Sequence, residues 1–160
     1  MMDFSRFKTA DWLVIVGGVM MFIAGFLDWF DAGPLSPNAF DFTVTGLIPW
    51  LLLLAAALLA FLVAAELLPA GGAPWAVILL GLTVAGAVLV LVRLVIGADL
   101  SDVADLAGSP DQSLSRAGGL WVSAIGACVA ATGGVMKFQA AGGDRNELPD
   151  LQKIRDAFKT

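Results

Sequence analysis

Four long apolar runs, each punctuated by tryptophan, constrain this chain more than any other feature. They cover about residues 12–29, 45–66, 75–97 and 118–137. Each approaches the roughly 20 residues that a helix needs to cross about 30 Å of hydrocarbon. Trp12, Trp29, Trp50, Trp75 and Trp121 all fall near the ends of these runs. An indole is apolar in body but carries one hydrogen-bond donor, so it prefers the membrane–water boundary to either phase. The pattern predicts an all-α membrane protein with four transmembrane helices in an antiparallel bundle.

Composition supports this reading. The chain has 160 residues, of which 59% are hydrophobic and only 14% charged. Ordinary soluble proteins are nearer half apolar and a quarter charged. Four such helices in succession would leave a water-soluble protein without a solvated surface. The expected organisation is a cytoplasmic lead (1–11), a transmembrane domain (12–138) and a cytoplasmic tail (139–160).

The placement of charge orients the chain. Arg6 and Lys8 precede the first run, and Lys137, Arg145, Lys153, Arg155 and Lys159 follow the fourth. The first outer loop has Asp28, Asp31 and Asp41 and no basic residue; the second has Asp99, Asp102, Asp105 and Asp111 against Arg116. Basic residues stay on the cytoplasmic side, so both termini are expected there, in the cell membrane. The first run resembles a signal peptide in its basic start, but the bulky, acidic sequence from Phe26 to Phe30 offers no small-residue cleavage site, so it reads as a retained span.

Local signals fill in the connections. Asp11 suits the N-cap of the first span. Phe4 and Phe7 of the lead suit the membrane surface, where Arg6 and Lys8 would meet anionic headgroups. Gly33, Pro34, Ser36, Pro37 and Asn38 form a turn cluster, after which Phe40 and Phe42 alternate with Asp41 as a short extended or re-entering piece. Pro49 falls in the first turn of the second span, where proline costs little. The short link at residues 68–74 makes spans two and three antiparallel neighbours. Ser109, Pro110, Asp111 and Gln112 read as a capping box, which starts the fourth helix outside the membrane.

Several chemistries are excluded. The chain contains no histidine, which removes bis-imidazole haem ligation and most zinc sites. Its one cysteine, Cys128, lies within a span and cannot support Cys-x-x-Cys exchange. No phosphate loop or nucleophile elbow is present, and the basic residues are too scattered for nucleic acid. No catalytic residue, cofactor or metal is expected.

The remaining candidates have bland and functional readings. Arg93, the only basic residue within a span, lies about 27 Å up its helix from Trp75, near the outer boundary. Asp28 lies at a similar level, so the two suit a structural ion pair, with a ligand-binding arginine as the alternative. Glu66 sits at the inner end of span two, too far from the midplane for a proton relay. The spacing of Asp99, Asp102 and Asp105 matches a solvated helix face better than a calcium loop. Gly119, Ser123, Ala127 and Ala131 form one small-residue stripe on the fourth helix, and Gly126, Ala130 and Gly134 form another. Such stripes let helix backbones approach closely, within one chain or between chains. In the tail, Leu151, Ile154 and Phe158 share one face of a short amphipathic helix suited to docking on a partner or on lipid headgroups.

The succession Phe26-Leu27-Asp28-Trp29-Phe30, Asn38-Ala39-Phe40 and Gly46-Leu47-Ile48-Pro49-Trp50 resembles the small, mostly uncharacterised four-span membrane proteins of high-GC actinobacteria. That resemblance covers most of the chain. The expected function is a non-enzymatic accessory, scaffold or assembly subunit of a larger envelope or respiratory membrane complex. Its partners would be membrane lipids and either other membrane subunits or further copies of itself. The alternative is a small transporter or lipid-binding module using Arg93 and the acidic outer loops. The charge asymmetry predicts that reporter fusions at Thr160 and within residues 99–111 show opposite sidedness. A reporter active outside the cytoplasm at Thr160 would refute the orientation.

Overall fold

The computed structural model describes residues 6–31, 36–68, 74–98 and 114–142. Four α-helices dominate: α1 (Thr9–Gly25), α2 (Ile48–Ala64), α3 (Trp75–Ile96) and α4 (Gly118–Ala140). A two-residue strand, β1 (Phe30–Asp31), follows α1, and another, β2 (Ser115–Arg116), precedes α4. The two pair antiparallel, Phe30 opposite Arg116 and Asp31 opposite Ser115, so the described fold is not purely helical. A 3₁₀ helix (Ala39–Asp41) and a π-helical turn (Thr43–Leu47) lead into α2. Three helical segments, Thr43–Ala64, Trp75–Ile96 and Gly118–Ala140, are long and apolar enough to cross a membrane. The 17 residues of α1 are apolar but span only about 26 Å at 1.5 Å per residue.

The first helix differs at both ends from the expected 12–29. It starts at Thr9, with Lys8 at the N-cap. Asp11 is not the N-cap; it stands three residues further on, and its Oδ2 accepts the Lys8 backbone N–H at 3.1 Å. The helix stops at Gly25 because Trp29 folds back, its indole N–H donating to the Ala24 carbonyl at 2.9 Å. Trp29 is fully buried, so its indole is not presented to headgroups, whereas Trp12 and Trp121 are exposed. Phe40 and Phe42 flank Asp41 at a 3₁₀ turn, not on an extended piece. The turn is closed by Asn38, whose N–H donates to Asp41 and whose Oδ1 accepts from the Phe40 N–H. The fourth helix starts at Gly118, after β2, and not upstream at Ser109; the capping-box residues, like Asp99, Asp102 and Asp105, lie outside the described residues.

Each helix has two principal neighbours. The first packs on α4 and α2, the third packs on the same two, and α2 and α4 barely touch. Contacts run in reverse order along α1 and α4 and along α3 and α4. Ala10 lies at Gly133, Gly17 at Gly126 and Ala130, and Leu27 at Gly119. Gly18 meets Leu53 and Ala57, and Gly86 meets Leu53. Thr83 meets Gly134, while Arg116 reaches the end of α3. Two buried clusters fill the interior. One holds Met21, Trp29, Phe30, Phe42, Leu53, Val90 and Leu120; the other holds Val14, Ala56, Ala60 and Leu79. Outward faces are apolar as well, with Val19, Ile23, Leu58, Val88 and Ile125 all exposed. Helices apolar on both faces suit hydrocarbon, not water.

The tightest seam joins α1 and α4. A Cβ at Gly17 would lie 2.5 Å from the Gly126 carbonyl and 2.6 Å from the Ala130 amide; one at Gly133 would lie 2.8 Å from the Ala10 carbonyl. Those neighbours are backbone, so nothing flexible can yield. Gly133→Ala should therefore destabilise the detergent-solubilised protein by about 1–3 kcal/mol, the usual cost of overpacking. Gly81→Ala, on α3 with nothing within 4 Å, should be neutral or stabilise by up to about 1 kcal/mol. Thermal unfolding of the two variants checks this, and equal effects would show that the seam is not close-packed.

Candidate functional site

Polar chemistry concentrates at the two ends of the helices. At the β1–β2 end, Arg93 projects from the last turn of α3 and is 8% exposed. Its guanidinium carbon lies 3.9 Å from the centre of the Phe42 ring and 5.4 Å from that of Phe30. The two rings meet edge to face at 5.4 Å. Local chain geometry fixes both phenylalanines. Phe30 is held by the β1–β2 pairing and by its N–H to the Pro37 carbonyl. The Phe42 carbonyl accepts from the Gly46 and Leu47 amides, which anchors it at the start of the π turn. A cation over aromatic faces is attracted by their quadrupoles, worth about 2 kcal/mol when desolvated.

Asp28 does not share this site. Its side chain is exposed, and among the described residues no ion pair joins it to Arg93. Its backbone matters instead, because the Asp28 carbonyl accepts the Gly119 N–H at 2.9 Å and the Trp29 carbonyl accepts that of Ala117 at 2.8 Å. Arg116 completes this end. Its Nε donates to the Leu94 carbonyl at 2.7 Å and its guanidinium to the Val95 carbonyl at 3.1 Å, capping the negative end of α3. Sequence spacing gave no sign of this, since the cap comes from a residue more than twenty positions away.

The opposite end carries two charge pairs and a cavity. Asp11, at the start of α1, pairs with Lys137, near the end of α4, and both are largely buried. Arg6 pairs with Glu66 in solvent, a contact worth at most about 1 kcal/mol. Phe7 lies against Trp12 and Phe61, between α1 and α2. A cavity of about 510 Å³ opens among these groups, lined by Arg6, Lys8, Asp11, Glu66 and Lys137 and by apolar residues that include Val63, Trp75 and Ala76. Sequence reading placed these charges on the basic side but did not bring them together, because residues 11 and 137 meet only through the fold.

Between the ends, buried hydroxyls turn to their own helices. Thr83 donates to the Leu79 carbonyl and Ser123 to the Gly119 carbonyl, both at 2.8 Å. Gly119, Ser123, Ala127, Gly126, Ala130 and Gly134 are all buried within the chain, with Gly119 against Leu27 and Asp28 of the turn after α1, Gly126 against α1 and Gly134 against Thr83 of α3. Ala131 is partly buried. Leu151, Ile154 and Phe158 lie outside the described residues. Among the described residues, no cluster of three or more His, Cys, Asp or Glu could hold a metal ion.

Comparison with protein-family models, curated proteins and solved structures finds no match.

The Arg93 cage predicts a specific pattern of loss. Arg93→Leu and Phe42→Leu should each lower stability by about 1–3 kcal/mol. The double variant should lose less than the sum, because the cation and its ring are one contact. Additive losses in thermal unfolding would mean that the ring does not hold the guanidinium.

Proposed function

We propose that this chain is a non-enzymatic accessory, scaffold or assembly subunit of a larger membrane complex in the cell envelope or respiratory chain. In this reading all four helices cross the cell membrane as an antiparallel bundle with both termini cytoplasmic. The reverse order of contacts along α1 and α4 and along α3 and α4 supports the antiparallel arrangement. As for α1, its exposed Val16, Val19 and Ile23 suit lipid, and Phe26 and Leu27 extend its apolar length beyond the last helical turn.

The observation that carries the functional reading is the use made of polar groups. Arg93 is held over two rings, Asp11 is paired with Lys137, and Thr83 and Ser123 are bonded to their own backbones. The Asp11–Lys137 pair ties α1 to α4, the arginine over its rings ties α3 to β1 and to the turn before α2, and the two hydroxyls are satisfied within their own helices, a use of polar groups that suits a scaffold. The rival reading, a small transporter or lipid-binding module that uses Arg93, needs that guanidinium accessible to a ligand; its burial against Phe42 weighs against such a role. With both small-residue stripes of α4 buried inside the chain, a partner would dock elsewhere. The amphipathic tail bearing Leu151, Ile154 and Phe158 remains the proposed contact.

Purification of the full chain in mild detergent should bring down at least one other membrane protein in fixed ratio, identified by mass spectrometry. Removing residues 148–160 should leave membrane insertion intact and weaken that association. A lone homo-oligomer would contradict the accessory role. Failure of the truncated chain to accumulate, even without partners, would assign the tail to the fold instead.

A further inference from the structure

We infer that the cavity beside the Asp11–Lys137 pair seats the phosphate headgroup of an anionic membrane lipid. Among the described residues, the walls carry one more cation than anion: Arg6, Lys8 and Lys137 face Asp11 and Glu66. Both carboxylates are already engaged, Asp11 by Lys137 and the Lys8 backbone N–H, Glu66 by Arg6. The Lys8 ammonium is exposed and forms no ion pair with the described residues, so the excess charge lies on the rim.

Backbone adds to this field. The starts of both α1 and α3 line the cavity, through Ala10 on one side and Ala76 on the other. The first amides of a helix have no acceptor within it, and the helix start carries partial positive charge, a combination that favours phosphate. The volume of about 510 Å³ lies within the usual range for small-ligand sites.

The rest of the surroundings select an amphiphile over a free anion. Val63, Ala64, Pro74 and Trp75 make part of the wall apolar. One turn away, Val77 and Ile78 of α3 and Met136 of α4 are exposed, giving acyl chains an apolar surface to follow. Basic residues beside a membrane-crossing segment attract anionic lipid by about 1 kcal/mol each. The inference stands apart from the accessory role, since the lipid can be seated with or without a partner chain.

The test is titration of the full chain, in neutral detergent, with phosphatidylglycerol, phosphatidylcholine or inorganic phosphate, read by native mass spectrometry and thermal shift. Phosphatidylglycerol should bind and stabilise, whereas the other two should do so at least about tenfold more weakly. Lys8→Gln should weaken binding about fivefold and Lys8→Glu about thirtyfold. Ala141→Lys, at the exposed end of α4 on the cavity lip, should tighten it about fivefold, a gain that misfolding could not produce. Equal binding of phosphatidylcholine, or Lys8 and Ala141 variants that leave affinity unchanged, would overturn the site. Inorganic phosphate binding as tightly as the lipid would overturn the lipid assignment in favour of a soluble anion.

Discussion

The backbone approach of α1 to α4 is the constraint on which the rest of the structure depends. In hydrocarbon, no hydrophobic effect drives helices together, because lipid tails are as apolar as leucine. Association then rests on dispersion, and dispersion requires contact. Gly17, Gly126 and Gly133 permit that contact by presenting backbone to backbone. The seam also fixes what lies at its two ends. At one end, the Asp28 and Trp29 carbonyls receive the Gly119 and Ala117 amides, so the turn after α1 is stitched to the start of α4. At the other, Asp11 meets Lys137.

The first of these ends builds the arginine cage. Stitching the turn positions β1 against β2, and β1 carries Phe30. With Phe42 opposite, the two rings cover Arg93, a charge that would otherwise be costly so near hydrocarbon. Arg116, carried by β2, closes the neighbouring helix end. One short strand pair thus manages both arginines. The second end gathers charges of both signs around two helix starts, with one more cation than anion among the described residues, and leaves space between them.

Sequence and structure agree where physics is local. Length and apolar composition mark the segments that become α2, α3 and α4, because partition between lipid and water is additive along a run. Small residues on α4 mark a helix with two close neighbours, and α1 and α3 fill those places. What spacing could not convey is pairing between distant residues. Trp29 looked like an interfacial anchor because it ends an apolar run, yet its indole folds back to Ala24 and is buried. Arg93 looked like the partner of Asp28 because their heights along straight helices match. The first helix does not run to that height; it ends at Gly25, and the chain beyond it brings the Phe30 ring to the arginine. Asp11 and Lys137 lie 126 positions apart, and only the helix order makes them neighbours.

That last pair offers the most direct measurement of the account, because it exists only if α1 and α4 share the register set by their glycines. A double-mutant cycle with Asp11→Asn and Lys137→Met, followed by thermal unfolding in detergent, isolates it. Each single change leaves one partly buried charge unmatched and should cost about 3–5 kcal/mol. The double variant should lose about 1–3 kcal/mol less than the sum of the two single changes, the coupling expected of residues in contact. Losses that simply add would mean that the two residues do not meet and that α1 and α4 do not share the register set by their glycines.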